Sequence, residues 1–357
     1  MANDDTIIVS ATQLENLIAE IFVRLGVPAE DAAYQARILV DADLRGIDTH
    51  GALLVPYYVK KIQNRLINLR PQMKVIKETP TTLVLDGDNG LGHITAAKAM
   101  ERCIIKAKES GVALVGLRNT NHVGCMGYYV IQAVEKDLIG YIVTDTHANL
   151  APWGGKVPML GNNPFAVGIP AGEELPIVLD MAISVAAKAK VIKAAAQGRR
   201  IPEGWVVDAN TGESITDPEV IVGPLEKRKE FLLQPIGGPK GYGMLVVNTI
   251  LAGILTGTEN FGPYLPAFGS QFTKVQHLGV FMAVVDITAF TPLDEFKAKV
   301  DDLICKLKSS ERLPGVEEIF LPGEIEYRTK QRRLVKGIPV LRETWQNLQS
   351  ISQSLSK

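Results

Sequence analysis

The chain has 357 residues, with 38 Lys+Arg against 39 Asp+Glu, so a net charge of −1 gives no support to nucleic-acid or membrane-surface binding. An apolar fraction of 46% and a charged fraction of 22% exclude a disordered or fibrous chain, and at roughly 100–200 residues per domain the length suggests about two domains. Three scattered cysteines without a CxxC pair make neither a disulfide framework nor a structural zinc site, which points to a reducing, cytoplasmic setting.

The N-terminus has no basic stretch, and its apolar run Ile7–Val9 is too short for a secretory signal. A capping box at Ser10–Gln13 opens a helix whose Leu14, Leu17, Ile18, Ile21, Phe22 and Leu25 share a face, and Gly26 stops it. Pro28 opens a second helix that runs to Arg45 and Gly46. Gly51 to Leu66 reads as a third, in which Pro56 must sit near the start or kink it.

From Pro71 the texture becomes α/β. Met73–Ile76 and Thr82–Leu85 are β-rich, Thr95–Ser110 is a helix, Val112–Leu117 a strand, Met126–Lys136 a helix and Leu138–Thr144 a strand. Asn149–Pro170, rich in Pro and Gly, reads as mostly loop. Pro176–Leu179 is a strand that leads into an Ala-rich helix, Ser184–Gln197, and Arg199–Arg228 reads as an irregular surface excursion. Gly241–Leu255 reads as a buried helix, Gly279–Ile287 as a buried strand and Leu293–Ser309 as an amphipathic helix. The helical tail from Glu324 is expected to return to the N-terminal helices. The longest apolar stretches, Met244–Leu255 and Leu278–Val285, fall short of the roughly 20 residues that cross a bilayer.

Three of the five histidines sit on loops flanked by Gly, Asn and Thr: His50 after a helix, and His122 and His147 each after a strand. Ligands gather beyond strand ends in α/β proteins, and an imidazole exchanges protons near neutral pH. Arg45 supplies a planar fork for a carboxylate, so Arg45 with His50 and His122 suits a 2-hydroxy or 2-oxo acid. His93 and His277 have no comparable setting. The histidines lack HxH, HxxxH and HExxH spacing, so no metal site is expected, although a metal-dependent hydrolase or lyase using His50, His122 and His147 is the alternative from another class. A non-catalytic binding protein is a third reading. No GxGxxG or Walker A motif is present, but Gly237–Gly243 precedes a helix and offers backbone N–H groups and Lys240 to a phosphate or carboxylate.

Several ordered segments resemble the non-Rossmann malate/L-lactate dehydrogenase family, which includes ureidoglycolate and sulfolactate dehydrogenases and imino-acid reductases. They are Asp43–Gly51, Asn121–Gly124, Gly161–Pro164, Leu179–Ala182, Ile201–Trp205, Gly238–Gly243 and Leu321–Glu324. The resemblance spans nearly the whole chain. It implies an α/β fold with a mixed, largely antiparallel sheet domain (residues 73–309) and a helical domain from both termini (1–72 and 310–357). It also implies a homodimer that uses NAD or NADP on a small 2-hydroxy/2-oxo acid of the malate, lactate, ureidoglycolate or sulfolactate type. His122 matches the proton acceptor, His50 a proton donor, and Arg45 the neighbourhood of the substrate carboxylate. Thr49 keeps the hydroxyl of the family's usual serine. Thr146, Asn163, Asp180, Met181, Ala182, Lys240, Pro322, Gly323 and Glu324 match cofactor positions. Lys190 stands where the imino-acid reductases carry an aspartate, which disfavours that alternative.

Overall fold

The computed structural model describes residues 5–224, 228–266 and 272–356. Strand β1 (Thr6–Val9) leads into α1 (Ala11–Arg24) and α2 (Ala29–Leu44). Ser10 caps α1 as its spacing predicts: its hydroxyl accepts from the Gln13 N–H, and Gln13 Oε1 accepts from the Ser10 N–H. Two 3-10 turns, Asp48–His50 and Ala52–Leu54, then precede α3 (Val55–Gln63). The helix starts beside Pro56, where the missing N–H would have no partner anyway, so His50 and Gly51 lie on a tight turn outside it.

The body follows as β2 (Lys74–Glu78), β3 (Thr82–Asp86), α4 (Gly92–Ser110), β4 (Val112–Thr120), α5 (Gly127–Val134), β5 (Leu138–Thr144), β6 (Phe165–Ile169) and β7 (Ile177–Met181). Next come α6 (Lys188–Ala196), β8 (Val206–Asp208), α7 (Glu219–Val222), β9 (Phe231–Leu233) and α8 (Pro239–Thr249), which continues as a π-turn over Ile250–Ile254. β10 (Leu278–Asp286), α9 (Leu293–Lys308), α10 (Glu324–Lys336), β11 (Ile338–Leu341) and α11 (Arg342–Ser354) complete the chain.

Seven strands form one sheet in the order β2-β3-β4-β10-β5-β6-β7. Only β3 and β4 run parallel; every other pair is antiparallel, so the sheet is mixed and largely antiparallel. The late strand β10 inserts between β4 and β5, with Met282 opposite both Val115 and Ile142. These three residues join Met100 and Cys103 of α4 and Val130 and Ala133 of α5 in the main core. A second core unites Leu14, Ile18 and Phe22 with Leu39, Tyr58, Ile338 and Leu348. β11 pairs with β1, so the tail does return to the N-terminal helices.

Three expectations change. β6 forms inside the stretch expected to be loop. Pro164 and Pro170 bracket Phe165–Ile169, which pairs with both neighbouring strands, so these two prolines mark strand ends, while residues 149–164 are loop as expected. The segment expected as a surface excursion carries a third core, in which Ile201, Val206, Ile215 and Ile221 pack with Ile183, Val191, Leu233 and Leu245. Its widely spaced apolar residues show no helical or strand period, because short elements and turns bring them inward one at a time. The helix expected to be buried is not. Met244, Val247, Ile250, Ile254 and Leu255 are 39–58% exposed, although Leu245 and Ala252 are buried.

Candidate active site

The last residues of β4 deliver Asn121 and His122 to the junction between the helical layer and the sheet body. Asn121 is locked there. Its Nδ2 donates to Gly90 O and Asn89 Oδ1, both at 2.9 Å, and its Oδ1 accepts from Lys61 Nζ at 2.9 Å. His122 Nδ1 lies 2.7 Å from Tyr58 Oη on α3, so the hydrogen bond leaves Nε2 for other work. Three histidine rings meet at this point. His50 stacks on His122 with centroids 6.0 Å apart, and His93 meets its edge at 6.2 Å. Thr49 Oγ1 lies 3.0 Å from His50 Nδ1.

His93 had no visible setting in the sequence because it lies in the first turn of α4, where nothing local marks it. The fold buries it against Gln35 Nε2, 2.9 Å from Nδ1. Gly124 makes this possible: a Cβ there would collide with His93 Nε2, and its φ of 69° also favours glycine. Tyr58 and Lys61 were missed as well. Their signal was present as a lysine on the otherwise apolar face of α3, beside Val55, Tyr58, Val59 and Ile62.

The electrostatics favour neutral imidazoles. Burial pushes His122 well below the ordinary histidine range, helped by His50, His93, Lys61 and His147. Burial likewise lowers His50, against a smaller pull from Asp180, and takes His93 to about 3. Asp43 buttresses the His50 turn by accepting from the Ala52 N–H at 2.8 Å, and burial raises its carboxyl to about 7.

Arg45 caps the end of α2, and its Nε donates to Asp41 Oδ2 at 2.6 Å. It also lines a cavity of 390 Å³ with Cys125, Gly127, Val178, Asp180, Pro322 and Gly323. Asp180 Oδ2 accepts from the Gly127 N–H at 2.7 Å and from Cys125 Sγ at 3.1 Å, which ties this cavity to the loop after His122. β7 is an edge strand here, and Val178 N–H donates to Pro322 O at 2.9 Å. Glu324 is committed elsewhere: its carboxylate pairs with Lys308 and Arg328 and accepts from the Leu321 N–H. It shapes the 321–324 turn and leaves the Pro322–Gly323 backbone at the cavity wall.

Met181 ends β7 beside Ala182, and Thr146, Asn163 and Lys240 lie apart from this cavity's lining. Thr146 Oγ1 donates to Asn162 Oδ1 at 2.9 Å, and Asn163 Oδ1 accepts from the Thr146 N–H at 3.1 Å. Asn163 is buried, and its Nδ2 donates to Thr249 Oγ1 and Leu245 O on α8. Lys240 is exposed in the first turn of that helix. Among the described residues, no group of three or more His, Cys, Asp or Glu is placed to hold a metal ion.

A sequence model of the malate/L-lactate dehydrogenase family matches residues 9–349. The chain belongs to this family. A malate dehydrogenase of Pyrococcus horikoshii is 37% identical over 355 residues, 98% of this chain and 96% of its own. The L-sulfolactate dehydrogenase of Methanocaldococcus jannaschii is 38% identical over 341 residues, 96% of this chain and 95% of its own. A solved sulfolactate dehydrogenase structure from that organism matches the fold with a TM-score of 0.90 over 98% of both chains. The NAD+ ureidoglycolate dehydrogenase of Escherichia coli K12 is 30% identical over 340 residues, 95% of this chain and 94% of its own. This dehydrogenase therefore works with a nicotinamide cofactor on a hydroxy acid. The residues present fit such a cofactor. The cavity beside β7 has apolar walls with a few polar groups, and α8 turns a helix N-terminus and an exposed ammonium outward.

Proposed function

We propose that the protein oxidises or reduces a small 2-hydroxy/2-oxo acid at the meeting of His50 and His122, with His122 as the proton carrier. The observation that carries this reading is the pairing of His122 Nδ1 with Tyr58 inside a cluster of neutral imidazoles. In the tautomer that donates Nδ1–H to Tyr58, Nε2 holds a lone pair ready for the substrate hydroxyl proton. Reduction reverses the transfer, and the protonated imidazole then polarises the carbonyl. His50, oriented by Thr49, bounds the other side of the acid. Arg45, held by Asp41, faces the carboxylate. NAD(P), when bound, supplies or accepts the hydride. Asp180, Met181, Ala182 and the Pro322–Gly323 turn would hold its nicotinamide end, with Thr146 and Asn163 shaping the adjoining loop. Lys240 at the α8 N-terminus would meet its diphosphate.

The relatives at 37–38% identity are named for malate and sulfolactate, which both carry a second anionic group. A 2-hydroxy acid with a second acidic function is therefore the expected substrate class. A panel of malate, sulfolactate, ureidoglycolate and lactate, each with NAD+ and NADP+, tests this. Faster turnover of lactate than of both dianions would overturn it. Imine reduction is disfavoured by Lys190 and by these relatives.

We also read residues 1–72 and 310–357 as a helical domain around a 73–309 body, and the active molecule as a cytosolic homodimer. No described helix is long and apolar enough to cross a membrane, and all three cysteines are free. The exposed apolar face of α8 and its π-turn suits burial against a second copy. Sedimentation should give a dimer for the parent protein and a monomer for Val247→Asp with Ile254→Asp.

A further inference from the structure

Lys61 is fully buried, yet its ammonium meets no carboxylate among the described residues: Nζ donates to Asn121 Oδ1 at 2.9 Å and to Gln276 Oε1 at 2.7 Å. A buried charge is normally paired, so a lysine satisfied by two neutral amides calls for a reason. Its location supplies one. Lys61 lies one turn from Tyr58, so a single face of α3 reaches both residues at the β4 exit: Tyr58 binds His122, and Lys61 binds Asn121. Through Gln276 it also ties that exit to the approach to β10. Gln276 in turn bonds the Tyr57 hydroxyl.

We infer that Lys61 is a positioning residue for the proton transfer: it fastens α3 to the loop that presents His122 and sets a positive charge behind that imidazole. The inference rests on His122 as the proton carrier. Sealed from solvent, Lys61 touches no substrate, so it acts through Asn121 and through its field. The groups that bear on His122 come from every element around it. They are His50 from the 3-10 turn, Tyr57, Tyr58 and Lys61 from α3, His93 from α4, and His147 beyond β5. Lys61 alone among them is an ammonium. Burial lowers it only to about 8, so it stays charged at neutral pH. A fixed cation nearby disfavours imidazolium, which keeps His122 a base in the direction of alcohol oxidation. The amide partners suit this task, since a carboxylate in their place would cancel the field.

The test compares kcat/KM against pH for hydroxy-acid oxidation in the full-length protein and in Lys61→Met, Gln276→Glu and Lys61→Arg. Lys61→Met removes the charge. Gln276→Glu neutralises it with almost no change of shape and leaves α3 untouched. Both should move the acid limb upward by at least about half a unit, while Lys61→Arg should hold it near the parent value. An NMR titration of the His122 imidazole, assigned with His122→Gln, reads the same shift without turnover. An unmoved imidazole titration in a folded Gln276→Glu variant overturns the inference, whether or not Lys61→Met folds. A moved titration with an unmoved rate profile upholds the placement of Lys61 and overturns His122 as the proton carrier.

Discussion

The two sides of the candidate site are built in opposite ways. On the proton side, the rings of His50, His93, His122, Tyr57 and Tyr58 meet beside Lys61, between the His50 turn, α3, α4 and the β4 exit, with amides and hydroxyls as partners. On the proposed cofactor side, Asp180 lies at a sheet edge, the ion pairs of Glu324 hold the Pro322–Gly323 turn, and Lys240 sits at an exposed helix start. The difference follows from the tasks. A group that exchanges a proton near neutrality is tuned by removing water, and the lowered histidines record that removal. A large anionic cofactor must enter and leave, a task that exposed backbone and an unburied cation would suit.

Substitutions should separate the two sides. His122→Ala should lower kcat by about 10²–10⁴-fold with an unchanged melting temperature, and His50→Ala should cost less. The reverse ranking would transfer the proton role to His50. Lys240→Ala should raise the KM for the cofactor by roughly tenfold and leave kcat nearly intact, as expected for a group that binds ground and transition states alike. An equal loss in kcat would place Lys240 on the chemical side. Tyr58→Phe removes the partner of His122 Nδ1, a change of about 1 kcal/mol, and should slow turnover by up to roughly tenfold without altering cofactor affinity.

A further effect concerns stability and not turnover. Asp43 is raised from 3.8 to about 7 in the folded chain. Between those values the folded protein holds a proton that the unfolded chain has released. Asp43 therefore favours folding at acid pH, and that contribution is lost as pH rises to about 7. His50, His93 and His122 act in the opposite direction, because the unfolded chain takes up their protons first as pH falls below about 6.5. Denaturant titrations of the parent and Asp43→Asn at pH 5 and 8 isolate the carboxyl. The variant should gain relative stability on going to pH 8, and an equal difference at both pH values would contradict the assigned burial.

Much of the scaffold was legible because its signals are local. The Ser10–Gln13 capping box and the apolar runs of β5 and β10 depend on neighbours in sequence. Phe165–Ile169 was hidden by flanking prolines, and Ile201, Val206 and Ile221 by their irregular spacing. Within the site, the loop histidines His50 and His122 stood out by their Gly, Asn and Thr neighbours. His93 did not, because a histidine inside an Ala-rich helix carries no mark of what lies across from it.

By itself the sequence determined which residues are able to do chemistry: few histidines, an arginine at a helix end, a glycine-rich start to α8, and an ordered set of segments shared with one family. Only the tertiary structure decided which of them meet. β10 enters the middle of the sheet from more than 130 residues beyond β5, and its approach carries Gln276 to Lys61. Burial then converts a lysine and three histidines, ordinary in composition, into a neutral-imidazole cluster backed by one fixed charge. Desolvation depends on what the rest of the chain places overhead, and no local pattern encodes it.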